Sequence, residues 1–364
     1  MRKKSLLLSG SADELGEQLQ ESYDRIMEST RRWAEIISFD PDPQTGMTPK
    51  DIVWRKNKST LYRYCSSNPI RRRTPVLILY ALINKAYILD LTPGMSLVEH
   101  LVDAGFDVYM LEWGDFEWED RHLTFADLVF DYIAHAVHKV CQFSRCDELS
   151  LVGYCMGGTM AAMYASLFKF PRIRNMIFLA APFDFEDAGI SSRWLKSGHF
   201  DADKIADTFE LVPRDFIDYG VKLLNPVNNF WGTYTRLWKV IDEGMSVKSW
   251  KVLNKWVNDN TNFPGGAYRQ WIRDMYQENL LVKGGINLRG QRVDLGDVES
   301  AILVLAGEKD HIVLPHQARA AVDCMGSQDK SYYEFPIGHG GLVFGGIAKN
   351  RVFPLISQWL GDRS

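Results

Sequence analysis

The chain lacks the features that would direct it to nucleic acid or through a membrane. Its 364 residues carry a formal net charge of −4, so no general basic field attracts a polyanion. The one dense basic run, at residues 71–73, is interpreted as a solvated loop rather than a binding patch. No stretch of about 18 consecutive apolar residues occurs. We therefore expect neither nucleic acid nor a membrane span.

Cysteine is scarce, and its spacing suits neither disulfides nor zinc. The five cysteines stand at 65, 141, 146, 155 and 324, with no CxxC motif. An odd number in a chain of this size indicates reduced thiols in a cytoplasm. The run Leu6–Leu8 is too short for a signal peptide, which needs about seven to fifteen apolar residues. His135 and His138 share a predicted helix with Asp131, but a solvated helix face explains them better than a metal site.

Short apolar runs alternate with helical patterns from residue 76 onward. Near-continuous apolar strands separated by helices predict a mostly parallel sheet covered on both faces. The predicted strands are Val76–Tyr80, Asp107–Leu111, Leu149–Val152, Met176–Ala180, Ala301–Ala306 and Tyr332–Phe335, and the predicted helices are Ser96–Ala104, Phe125–Phe143, Gly158–Phe168 and Ile347–Leu360.

This alternation stops between residues 185 and 297. The segment is rich in Trp, Asn, Asp and Tyr and has mostly helical spacing, at 209–224, 250–257 and 268–281. We therefore expect an α/β core formed by residues 46–184 and 298–364, with a helical cap inserted at 185–297.

A separate helical segment is predicted at residues 1–45. The sequence SADE at 11–14 forms a capping box, and apolar residues then follow at steps of three and four as far as Ile37. The apolar face of this helix packs either on the chain's own core or on a partner chain, and the sequence leaves both open.

A nucleophile elbow is predicted where the third strand runs into GYCMGG, residues 153–158. The pattern is G-x-S-x-G with Cys155 in the serine position, and the tight turn requires the glycines. A cysteine near a helix N-terminus is favoured as thiolate. One oxyanion donor is expected at the N–H of Met156 and the second at Ile83 or Asn84. The competing interpretation is a buried structural cysteine at a glycine-rich turn.

The acid and the base are predicted on later loops, in the order that this fold uses. Asp310 follows the Ala301–Ala306 strand, with Glu308 as a rival, and His339 follows the last strand in a glycine-rich loop. Asp310 would fix the tautomer of His339, which would accept the Cys155 proton. His311, next to the acid, either supports this pair, contacts substrate or only packs.

At these residues the chain resembles the polyhydroxyalkanoate synthases. The resemblance extends from about Thr48 to Trp359. The matching segments are long: VWRKNKSTLYRY (53–64), YALINKAYILDLTPG (80–94), GFDVYMLEWG (105–114), GYCMGGTM (153–160), AYRQWIRDMYQEN (267–279) and DHIVLPHQ (310–317). The short chain and the residues around the nucleophile are most similar to the two-subunit class IV enzymes, with class III next. The resemblance places the nucleophile, acid and base at Cys155, Asp310 and His339, and Gly340-Gly341 is a local departure after the base.

The resemblance implies an acyltransferase on the α/β-hydrolase fold. The expected substrate is an (R)-3-hydroxyacyl-CoA thioester, 3-hydroxybutyryl-CoA above all, polymerised through an acyl-cysteine with CoA as leaving group rather than cofactor. The inserted segment would keep water from the acyl-enzyme, and its aromatic residues Trp231, Trp271 and Tyr276 would line a tunnel or simply pack. The implied partners are the growing polyester, a small second synthase subunit and a second copy of the chain, at the surface of cytoplasmic polyester granules.

Two other functions fit parts of the pattern. A cysteine-dependent thioesterase or esterase would use the same triad, because fold alone does not decide the reaction. A catalytically inactive binding scaffold is the third hypothesis, and the intact set of Cys, Asp and His argues against it.

Overall fold

The computed structural model describes residues 43–65, 69–196, 200–224 and 247–364, together with scattered positions between 17 and 34. The scattered positions that are described, among them Glu17, Tyr23 and Ala34, are helical. The remainder of the helix predicted at 11–37 lies outside the described residues.

Within the described part of the chain, eight strands form one sheet in the order β1-β2-β4-β3-β5-β6-β7-β8. Neighbours from β4 to β8 are parallel, whereas β1, β2 and β4 pair antiparallel. The strands are β1 (Lys50–Lys56), β2 (Ser59–Tyr64), β3 (Val76–Leu79), β4 (Val108–Glu112), β5 (Glu148–Tyr154), β6 (Arg172–Leu179), β7 (Ala301–Gly307) and β8 (Lys330–Phe335).

The centre of the sheet is buried on both faces. All four residues of β3, VLIL, have no solvent exposure. Because successive side chains of a strand point to opposite faces, both faces must be covered. The parallel core predicted from the apolar runs is therefore confirmed, to within a few residues at each strand end.

The β1–β2 hairpin was not predicted. Its turn at Asn57-Lys58 has Asn57 at a positive φ of 51°, a conformation that Asn tolerates better than most residues. Trp54 of β1 stacks on His135, and Lys56 donates to the carbonyl oxygen of Asp131. The polar residues of this hairpin hide the two-residue alternation that marks a strand.

Helices alternate with the parallel strands, and their ends are fixed locally. Ser96, for example, accepts a hydrogen bond from the Glu99 N–H and caps the first helix. The helices of the core are α1 (Leu97–Asp103), α2 (Ala134–Ser144, preceded by a π-helical segment Leu128–Ile133), α3 (Met156–Leu167), α9 (Pro315–Cys324) and α10 (Phe353–Gly361, preceded by a π-helical segment Ala348–Val352).

The described residues between β6 and β7 are mainly helical. They contain α4 (Ile190–Leu195), α5 (Ala202–Phe209), α6 (Arg214–Leu224), α7 (Val247–Asn258) and α8 (Gly265–Arg269), which continues as a π-helical segment Gln270–Gln277. Residues 185–297 are called the inserted segment below.

One predicted helix in the inserted segment is confirmed over Arg214–Leu224 but wrong at its start. The pattern at 209–224 predicts a single helix, but α5 ends at Phe209 and Leu211–Val212 pairs with Phe263–Pro264 as a short antiparallel ladder. Glu210 takes a positive φ of 53°, and Pro213 follows the ladder before α6 begins. Such a turn breaks the helical hydrogen bonds.

The helices of the described ranges include none that is both long enough and apolar enough to span a bilayer.

Candidate active site

Cys155 lies at the turn between the end of β5 and the start of α3. Its backbone has φ 51° and ψ −128°, values that a residue with a side chain rarely adopts. The Cys155 N–H donates to the carbonyl oxygen of Leu179 on the neighbouring strand at 2.8 Å. Backbone strain of this kind concentrates at functional sites and aims the side chain away from the sheet.

Glycines make this turn possible. A Cβ at Gly153 would lie 2.2 Å from the Cα of Gly158, and one at Gly157 would lie 2.2 Å from the carbonyl oxygen of Leu79. Both distances are far below van der Waals contact. Strand β5, helix α3 and strand β3 therefore approach so closely that no other residue fits.

Asp310 and His339 meet above the adjacent strands. Asp310 follows β7 and is 3% exposed. Its Oδ1 accepts from the N–H groups of Ile312 and Val313, at 2.9 and 3.0 Å, while its Oδ2 lies 2.7 Å from His339 Nδ1. A carboxylate fully engaged in this way fixes the Nδ1–H tautomer and leaves Nε2 for another partner.

The neighbouring group is Cys155, which lies close enough to His339 to favour its protonated form. Burial lowers the pKa of His339, but the interactions with Asp310 and Cys155 raise it by more. The net pKa is therefore well above its usual value. An imidazolium next to a thiol favours the thiolate. The three residues predicted from separate loops are therefore in one contiguous arrangement.

The other thiols have less reactive surroundings. Burial raises the pKa of Cys65, Cys146 and Cys324, and raises that of Cys141 to about 12. A thiol held in its neutral form is a poor nucleophile. Cys155 is thus distinguished from the other cysteines by its histidine partner.

The predicted oxyanion donors lie at the expected places, but their role stays a prediction. Met156 is the first residue of α3, so its N–H has no partner within the helix. Ile83 and Asn84 lie on the loop after β3, and Asn84 has a positive φ of 61°. The Asn84 side chain donates to the carbonyl oxygen of Trp256 at 3.4 Å, which ties this loop to α7 of the inserted segment.

His311 lies beside the acid and the base. Its Nε2 is buried with no hydrogen-bond partner among the described residues. Burial lowers its pKa, an effect that Asp310 partly opposes and His339 reinforces. The neutral ring therefore packs against the pair without adding a second positive charge.

Aromatic rings surround Cys155, and sequence reasoning identified only some of them. Tyr276 is buried, and its pKa is raised by burial and further by Cys155 and Asp310, so it lies near both. Trp271 packs edge-on with Phe185 in the same cluster. Trp231 lies outside the described residues. Tyr80 and Tyr154, whose rings stack at 5.5 Å, were not predicted as part of the site, although Tyr154 adjoins the nucleophile in the motif.

His135 and Asp131 contact other side chains of the protein. Asp131 forms an ion pair with Arg289, and His135 stacks on Trp54. In the parts of the chain that the structure describes, no group of three His, Cys, Asp or Glu side chains is arranged to hold an ion.

Comparisons with known proteins agree on fold and family. The family described as the poly-beta-hydroxybutyrate polymerase (PhaC) N-terminus matches residues 9–101, and the alpha/beta hydrolase fold matches residues 74–324. The poly(3-hydroxyalkanoate) polymerase subunit PhaC of Haloferax mediterranei is 37% identical over 349 residues, which is 96% of this chain and 70% of that protein. The subunit of the same name from Synechocystis sp. is 34% identical over 330 residues, which is 88% of this chain and 86% of that protein.

A solved structure supports the fold alone. A thermophilic esterase from Thermogutta terrifontis superposes with a TM-score of 0.51 at 15% identity, over 87% of this chain and 99% of that one. At this identity the likeness concerns the arrangement of strands and helices and carries no statement about substrate.

Proposed function

The chain belongs to the poly(3-hydroxyalkanoate) polymerase subunit family named PhaC, on the α/β-hydrolase fold, and we propose that it is the acyltransferase that polymerises (R)-3-hydroxyacyl groups from their CoA thioesters. The observation that carries this proposal is Cys155 on a strained strand–helix turn, close to a His339 that Asp310 orients. Cys155 acts as nucleophile, His339 as base and acid, and Asp310 as the residue that holds His339.

The first step is thiol–thioester exchange. The Cys155 thiolate attacks the carbonyl carbon of the acyl-CoA, the Met156 N–H and a backbone N–H of Ile83 or Asn84 stabilise the oxyanion, and CoA leaves with the proton from His339. A new C–S bond replaces the old one, so the free energy changes little and the acyl group stays reactive. CoA is a leaving group here, and no cofactor is proposed.

The second step forms the polymer bond. The hydroxyl of another 3-hydroxyacyl unit loses its proton to His339 and attacks the acyl-Cys155 carbonyl. A C–O ester bond forms, the C–S bond breaks, and the Cys155 thiolate is regenerated. Because an oxoester is more stable than a thioester, this step drives chain growth.

The inserted segment is proposed as a cap domain that keeps water from the acyl-enzyme. Its contacts with the core support this role. The Trp256 indole N–H donates to the carbonyl oxygen of Lys85, Thr261 donates to that of Leu82, and Tyr87 donates to Asp259, at 2.9, 2.9 and 3.0 Å. These bonds connect the segment to the loop that bears the expected oxyanion donor.

We further propose that the chain needs a second, small subunit for full activity, as a class IV enzyme or, alternatively, a class III enzyme. Several relatives are named subunits, and the chain covers 86–90% of three of them, so it is similar to them in length. A homodimer and a place at the surface of cytoplasmic polyester granules are part of the same proposal, because thiol–thioester exchange returns the growing apolar chain to Cys155 in each cycle. Purified alone, the chain should show weak activity after a lag. Coexpression with the small subunit should raise the activity and abolish the lag.

One assay separates this function from its alternatives. 3-Hydroxybutyryl-CoA is added to the purified chain, and free thiol and turbidity are followed together. Thiol release with turbidity is expected for a polymerase. Thiol without turbidity would indicate a thioesterase, and if neither appears even with small subunits of classes III and IV, the chain is a binding scaffold.

A further inference from the structure

Tyr154, the residue before the nucleophile, contacts the proposed base in two ways. Its ring lies 5.1 Å from the imidazole of His339, with an interplanar angle of 58°. Its hydroxyl donates to the backbone carbonyl oxygen of His339 at 3.3 Å, which is long for an O–H···O hydrogen bond. The two contacts act on different parts of the same residue, the side chain and the backbone.

The ring of Tyr154 is itself held firmly. It is 2% exposed and stacks almost parallel on Tyr80, at 5.5 Å and 5°. Tyr80 follows β3, and its carbonyl oxygen accepts from the Trp113 indole N–H at 2.9 Å. The Tyr154 ring at the end of β5 is therefore held in place by Tyr80 on one side and contacts the His339 imidazole with another part of its surface.

The loop that carries His339 is rich in glycine and forms a short 3-10 turn, His339–Leu342, with its own backbone hydrogen bonds. Gly338 precedes the histidine, and Gly340 and Gly341 follow it. A Cβ placed on Gly340 would meet no atom within 4 Å, so this side of the loop is open. Glycine-rich backbone loses the most conformational freedom when it becomes ordered. A hydrogen bond from another element therefore helps to hold this loop in one conformation.

We propose that Tyr154 is a positioning residue that holds His339 against Cys155, with its ring supporting the imidazolium and its hydroxyl restraining the loop. An aromatic face within about 6 Å attracts a cation, and His339 is the cationic partner of the nucleophile. The proposal rests on the triad roles assigned above, and Tyr154 itself touches no reacting atom.

The titration of the neighbours agrees with this arrangement. Burial, with Tyr80, Cys155 and Asp310 nearby, raises the pKa of Tyr154 well above its usual value, so its hydroxyl remains a donor. The groups that face His339 are Cys155, Asp310, His311 and Tyr154. Among them, the carboxylate favours the imidazolium, and the lowered pKa of His311 disfavours a second positive charge beside it.

The test is the pH dependence of Cys155 alkylation by iodoacetamide, with the labelled peptide identified by mass spectrometry. This readout reports the thiolate and does not depend on polymer formation. We expect the wild-type rate to have a plateau through neutral pH, because the raised pKa of His339 keeps the imidazolium beside the thiol. In Tyr154→Leu the plateau rate should fall about three- to tenfold, the range that a cation–aromatic contact predicts.

Matched variants separate the two contacts. Tyr154→Phe keeps the ring, so its alkylation profile should stay close to wild type, while kcat falls about two- to threefold through the lost hydrogen bond. Tyr164→Leu is the control, because Tyr164 is a buried tyrosine of α3 that stacks on Phe168 instead of His339. It should leave the alkylation profile unchanged.

A fluorinated phenylalanine at position 154 keeps the test decisive if the leucine variant fails to fold. Fluorine preserves the shape of the ring and weakens its negative face, so the plateau should fall below that of Tyr154→Phe. A profile that stays at the wild-type value in the fluorinated variant would overturn the proposal. If the profiles shift as expected but no polymer forms in any protein, the positioning role stands and the polymerase function fails.

Discussion

The interactions that stabilise the sheet core differ from the hydrogen bonds that connect the inserted segment to it. In the core, β3 and its parallel neighbours bury apolar side chains completely, and the hydrogen bonds run from backbone to backbone. Where the inserted segment meets the core, side chains bond to backbone: Thr261 donates to the carbonyl oxygen of Leu82, and Gln270 accepts from the Phe125 N–H. The inserted segment also packs apolar rings on the core, as Trp271 does on Phe125, but its polar contacts can each be removed by one substitution.

The sharpest way to test the core side of this comparison is to remove the nucleophile. Cys155→Ala should abolish CoA release, because the acyl group loses its attachment point, and the loss should be on the order of 10⁶-fold in kcat as in other nucleophile–base triads. Cys155→Ser should retain little activity, since a serine alkoxide is far harder to form. Neither variant should change the free energy of unfolding greatly, because the Cys155 side chain is only half-buried. Near-normal turnover in the alanine variant would end the nucleophile assignment.

The acid and base should have separable effects. His339→Gln should nearly stop acylation and elongation, whereas Asp310→Asn should slow elongation about 10²- to 10⁴-fold and acylation less, because a thiolate needs less help from its base than a hydroxyl. Single-turnover CoA release and polymer yield measure the two steps. Glu308→Gln is the control, since Glu308 is exposed while Asp310 contacts His339. Wild-type behaviour of Asp310→Asn with an inactive Glu308→Gln would mean that the wrong acid has been assigned.

A smaller effect is expected where the inserted segment meets the core. Asn279 is 3% exposed, and its side chain bonds to the Phe185 N–H and to Asp184 at 2.9 and 2.8 Å. Asn279→Ala leaves the buried Phe185 N–H without a partner and should lower the free energy of unfolding by about 2 kcal/mol. It should also raise the ratio of hydrolysed to polymerised acyl groups, because water reaches the acyl-enzyme more often.

The matched control is Asn258→Ala, at an exposed position where the side chain bonds only within its own helix. Its stability should stay within about 0.5 kcal/mol of wild type. If chemical denaturation showed equal destabilisation by both substitutions, the buried hydrogen bonds of Asn279 would contribute no more to stability than the exposed bond of Asn258.

The smallest effect is expected at an exposed ion pair across the same boundary. Arg121 Nε lies 2.8 Å from Glu210 Oε2, with the two side chains 26% and 42% exposed. Solvent screens such a pair, so Glu210→Gln should cost less than about 1 kcal/mol. Denaturation at low and high salt checks this. A loss as large as that of Asn279→Ala would mean that charge, rather than buried amide bonding, attaches the inserted segment.

The same contrast explains what could be predicted from sequence. The core strands follow from apolar runs, and the elbow, Asp310 and His339 follow from glycine spacing and the order of strand ends. The β1–β2 hairpin was missed because its polar residues hide the alternation, and the helix at 209–224 was wrong at its start because a positive φ at Glu210 interrupts it. Contacts such as Asn279 with Phe185 join residues 94 positions apart, and no local pattern marks them. Tyr154 is adjacent to the nucleophile in the motif, but only the folded chain brings His339 against its ring.

The most direct measurement of the central claim is the location of the acyl group. Asp310→Asn, which should accumulate acyl-enzyme because elongation is slowed more than acylation, is mixed with 3-hydroxybutyryl-CoA, quenched in acid and digested for peptide mass mapping. We predict a 3-hydroxybutyryl group in thioester linkage on the peptide that contains Cys155, formed in proportion to the CoA released. Release of CoA with no acyl group on that peptide, or with the group on another residue, would contradict the account.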